Sequence, residues 1–94
     1  MHYIVHCLDH TGAVDLRLAH YDAHKAYLAS KPIKILVSGP LLADDNETMI
    51  GSFFLVEADC RADVQQFSDA DPFRAADLWA RIDIHPFLKR VDNR

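Results

Sequence analysis

The sequence predicts one α+β domain, with strands and helices in the order β-α-β-β-α-β and a short extra helix ahead of the last strand. Three observations predict it. Short runs rich in β-branched and aromatic residues, such as 3–8 and 52–58, end at clusters of turn residues. Stretches between them carry apolar residues three and four apart, the spacing of a helix with one buried face. A length of 94 residues, half of them hydrophobic and 26% charged, suits a single globular domain spanning 1–94.

Tyr3–Leu8 reads as the first strand, with Tyr3, Val5 and Cys7 on one face and His2, Ile4, His6 and Leu8 on the other. Two mostly apolar faces mark it as central. Turn residues 9–12 follow, and one helix is expected from Val14 to Ser30, with Asp15 in its first turn favouring the positive end of the dipole. Within it Arg17, Tyr21, His24 and Leu28 form one stripe. Lys31-Pro32 stops it, because a residue before proline avoids the helical region.

Ile33–Leu42 reads as the second strand, expected to bend or stop pairing at Gly39-Pro40, since proline cannot donate to a ladder. Ala43–Thr48 is an acidic turn that lacks the spacing and glycine of a calcium loop. Ser52–Ala58 is the third strand, and Arg61–Ser68 a helix packing through Val64 and Phe67. Asp71 before Pro72 has the form of an N-cap with proline in the first helical position, opening a helix to about Leu78. Ala80–Phe87 alternates as the last strand with Ile82 and Ile84 inward, and a polar tail closes the chain.

This order is the ferredoxin-like split βαβ arrangement with an antiparallel sheet, one face covered by helices and the other bare. A second copy packed sheet against sheet would bury the bare face, so a homodimer is expected. The formal charge of −4, with no basic block, argues against nucleic acid. No run of 18 apolar residues offers a membrane span, and the start has no basic n-region, so a cytoplasmic protein is expected. Cys7 and Cys60 form no C-x-x-C pair and read as buried or partly buried thiols.

Three groups could carry chemistry. His24 with Asp71 could form a dyad in which the carboxylate fixes the imidazole tautomer, although Asp71 is also fully explained as a cap. His20 and His24, one turn apart, give half a zinc site, but no third ligand is marked and Tyr21 stands where a zincin has Glu; no metal is expected. Ser38 beside Gly39-Pro40 could orient a substrate, and Arg17 could hold an anionic or hydroxyl group.

Taken together, Arg17-Leu18, His24 with Leu28, Ser38-Gly39-Pro40, Gly51, Asp69-Ala70-Asp71-Pro72-Phe73 and Pro86-Phe87 resemble the YCII-related (YciI-like) proteins in order and spacing. The resemblance spans nearly the whole chain. It implies a ferredoxin-like fold dimerising into an α+β barrel, as in muconolactone isomerase-like proteins, and a site built on His24 and Asp71. It also implies acid–base chemistry of the kind a dehydrochlorinase relative performs on a chlorinated hydroxyquinol. Lys25 and the acidic loop 43–50 depart from the common pattern. The expectation is therefore a small-molecule enzyme that eliminates or isomerises a cyclic or phenolic compound, with no cofactor required. Catalytic roles fall to His24 and Asp71, and substrate contacts to Arg17, Ser38, Gly39 and Pro40. The alternative is a non-catalytic ligand-binding or accessory dimer.

Overall fold

The computed structural model describes every residue from Met1 to Arg94. Eight elements follow in order: β1 (His2–Asp9), α1 (Val14–Ala19), α2 (Tyr21–Ala29), β2 (Lys34–Leu42), β3 (Met49–Glu57), α3 (Arg61–Asp69), α4 (Pro72–Ala75) and β4 (Trp79–Phe87). The strands form one antiparallel sheet in the order β2-β3-β1-β4. This is the expected ferredoxin-like arrangement. β1 is central, as its two apolar faces indicated.

Helices cover one face of the sheet. Tyr3, Val5 and Cys7 from β1, Phe54 and Val56 from β3 and Ile84 from β4 meet Val64 and Phe67 of α3 and Phe73 of α4 in a single core. The opposite face carries half-exposed Ile4 and Leu8 beside Phe53 and Leu55. The C-terminal tail lies along part of that face, with Arg94 Nη1 donating to the Leu36 carbonyl at 3.4 Å. No helix is long and apolar enough to cross a membrane.

The structure corrects four local expectations. The helix expected over 14–30 breaks at His20, whose φ of −110° and ψ of 7° leave the helical region. The His20 N–H turns back to the Arg17 carbonyl at 3.3 Å, one residue short of an α-helical bond. The tightened turn divides α1, which carries Arg17 onto distant partners, from α2, which carries His24 onto others. Two buried polar anchors outweigh one regular helical bond.

Strand β2 runs unbroken through Gly39-Pro40, which pair with Phe53 and Ser52; its extra residue is Leu36 instead. β2 is an edge strand, where proline needs no ladder partner on its outer side. The extra helix ends at Ala75, short of Leu78, because Asp77 takes φ +55° and the Leu78 N–H closes onto the Phe73 carbonyl at 3.1 Å. That is the left-handed helix ending, with aspartate in the place glycine usually takes. Finally, Cys7 is buried but Cys60, at the exposed start of α3, is not.

Candidate active site

The site begins with a capping residue. Asp71 adopts extended backbone geometry ahead of Pro72, and its Oδ1 accepts from the Phe73 N–H at 2.9 Å. The same carboxylate faces α2. His24 Nδ1 lies 2.8 Å from Asp71 Oδ2 and 3.0 Å from Oδ1. The two readings of Asp71, cap and partner, are therefore compatible: one carboxylate serves both donors. His24 is 7% exposed and Asp71 1%. A carboxylate only accepts, so Nδ1 is the protonated nitrogen of the neutral imidazole and Nε2, which has no protein partner, keeps its lone pair.

Aromatic rings hold the imidazole. Phe73 stacks on it with centroids 4.1 Å apart and planes 17° from parallel, while Phe54 and Tyr21 meet it edge-on. The same Phe73 ring lies 4.8 Å from Arg17 Cζ. α4 has only four residues, yet with its N-cap it supplies both the anion behind His24 and the ring against it.

Arg17 is the second buried charge, 1% exposed. Its Nε and Nη2 grip Asp9 Oδ2 and Oδ1 at 2.8 and 2.9 Å, the two-pronged pairing that guanidinium and carboxylate favour. Nη2 also donates to Ser52 Oγ at 2.8 Å. No protein acceptor engages Nη1. Burial pushes the thiol of Cys7, across from Ser52 on β1, up to about 12, with the Asp71 and Asp9 carboxylates adding to the rise. Cys7 is thus a packing residue at neutral pH.

Arg17, His24, Ser38, Gly39 and Pro40 all line one cleft of about 270 Å³, and Asp71 stands behind its histidine. Sequence reasoning missed three contributors: Ser52 and Phe54 in the cleft wall, and Asp9, which read as an ordinary turn residue. Alternation along β3 held the only signal, since it turns Ser52 and Phe54 toward the helices. The half zinc site of His20 and His24 finds no companions, and no group of three or more histidine, cysteine or acidic side chains converges on a metal position.

Comparison with known proteins adds context. The profile of the YCII-related domain matches residues 1–88. Protein YciI of Escherichia coli O6:H1 and its Shigella flexneri counterpart are each 28% identical over 96 aligned positions, covering 95% of this chain and 98% of theirs. Among solved structures, 5-chloro-2-hydroxyhydroquinone dehydrochlorinase from Burkholderia phenoliruptrix AC1100, in complex with 2,5-dihydroxybenzoquinone, is similar with a TM-score of 0.84. It is 33% identical, and the match covers 94% of both chains.

Proposed function

The chain belongs to the YCII-related domain family, and on that premise we propose that it is a small-molecule enzyme in which His24 and Asp71 perform acid–base chemistry. One observation carries the reading: a buried imidazole, fixed through Nδ1 by a carboxylate, has an unengaged Nε2 and lines a cleft. In an elimination, Nε2 takes a proton from the substrate, the freed electron pair forms the new double bond, and the leaving group departs with its own bonding pair. In an isomerisation, the same proton returns at another carbon. Asp71 stabilises the imidazolium formed in either case. Arg17 Nη1 and the Ser38–Pro40 strand supply contacts to a hydroxyl or anionic oxygen. The similar dehydrochlorinase, an enzyme with a dihydroxyquinone bound, supports a cyclic or phenolic substrate.

The test is chloride release from chlorinated hydroxyquinols, with binding of 2,5-dihydroxybenzoquinone measured in parallel. His24→Gln should lower turnover roughly a hundredfold to ten-thousandfold while the protein stays folded. Quinone binding without turnover of any such substrate would favour a ligand-binding module instead.

The reading includes a homodimer. Ile4, Leu8, Phe53 and Leu55, half-exposed on the face away from the helices, support a second copy there. Light scattering should give twice the chain mass, and Leu55→Lys should halve it.

A further inference from the structure

The walls of the His24 cleft carry an unusual balance of charge. The chain bears a formal −4, yet no carboxylate lines this cleft, whereas Arg17, Lys25 and the imidazole do. The larger gap at the other end of α2, of about 740 Å³, has the opposite character, with Glu57, Asp59 and Asp63 against Lys34. Inside the cleft the deep charges are already answered. Arg17 is matched by Asp9, and Asp71 lies behind the imidazole and takes its Nδ1–H and the Phe73 N–H.

Lys25 differs. Its side chain is 63% exposed, its Nζ stands 5.0 Å over the Tyr21 ring, and its one carboxylate neighbour is fully exposed Asp22 at 3.5 Å. Such a surface pair holds its partners weakly. Facing Lys25 across the cleft, Ser38, Gly39 and Pro40 of β2 and Ser52 and Phe54 of β3 bring no charge.

We propose that Lys25 is a specificity-determining residue that makes this cleft select small, flat anions over neutral compounds of the same shape. The inference rests on the cleft being the ligand site, and it deepens the proposed function by naming the charge class of the substrate. The cation at the mouth attracts the anion, and the aromatic walls accept its ring.

Benzoate and benzamide, alike in shape and differing in charge, provide the test. Their binding is followed by NMR titration of the wild type, Lys25→Gln and Lys25→Glu at low salt. Benzoate should bind more tightly to the wild type and shift the Ser38 and Gly39 amides. Lys25→Gln should weaken benzoate roughly threefold to fivefold and leave benzamide unchanged, with a larger loss for Lys25→Glu. Raised salt should shrink the preference. Equal binding of the two probes, no benzoate binding, shifts mapping outside the cleft, or a preference untouched in Lys25→Gln would each overturn the proposal. Because Lys25 is exposed, misfolding does not confuse the result. The wild type keeps the two ideas apart: a benzoate preference that depends on Lys25, with no turnover of any chlorinated hydroxyquinol, sinks the dyad and leaves the selectivity standing.

Discussion

Two buried polar pairs lie side by side in this small domain, Arg17 with Asp9 and His24 with Asp71. Both are almost wholly enclosed, both have 2.8 Å contacts, and both touch Phe73. They differ in what is left over. Arg17 is permanently charged, and two of its three nitrogens are committed, so it can position a ligand but cannot exchange a proton with one. His24 has spent one nitrogen on its carboxylate and has the other unengaged, on a ring that can take up a proton and give it back. Burial and pairing alone do not mark a reactive group. A free site on a titratable group does.

Four measurements would break or sharpen this contrast. Asp9→Ala should cost the most, about 3–5 kcal/mol in denaturant unfolding, because it strands a buried guanidinium. A loss below about 1 kcal/mol would mean that the Arg17 pair is not the structural one of the two. Asp71→Asn should cost less stability, about 1–2 kcal/mol, since an amide oxygen can still cap Phe73. It should nevertheless disturb the imidazole, and nitrogen-15 spectra should show the proton no longer confined to Nδ1. If the tautomer is unchanged, the carboxylate does not set it.

Gly51→Ala probes the β-sheet beneath both pairs. A Cβ there would overlap the Cys7 carbonyl oxygen on β1, so about 1–3 kcal/mol of destabilisation is expected in thermal unfolding. The smallest effect concerns the cysteines. Cys60 should alkylate readily at pH 8, while Cys7 should resist until the protein unfolds. Because folding raises Cys7 from 9.0 to about 12, the unfolded chain loses this proton first as pH rises. Its contribution is intact below pH 9 and lost across that window, and Cys7→Ala should flatten this part of the stability profile.

Much of the architecture was legible, because strand alternation, helical spacing and the Asp-Pro cap are local signals. The His24 and Asp71 positions came from their motif context, and the structure brings them together. What stayed hidden depends on contacts between distant residues. The break at His20 has no glycine or proline to announce it and follows from where Arg17 and His24 must reach. Asp9 and Ser52 lie 8 and 35 residues from Arg17, so no helical or strand period links them. The uninterrupted pairing of Gly39-Pro40 depends on β2 being an edge, which no local pattern states. The early end of α4 rests on a left-handed aspartate, a conformation that Asp tolerates without advertising it.

The shared oxygen of Asp71 has one more consequence. Oδ1 receives the Phe73 amide hydrogen and also sits against His24, so the first turn of α4 and the imidazole are fastened at a single atom. Deuterium uptake at that amide therefore doubles as a gauge of the His24–Asp71 pair. A ligand that locks His24 in place should slow the isotope's entry at Phe73, and one that pries the pair apart should hasten it, with no label on the histidine itself.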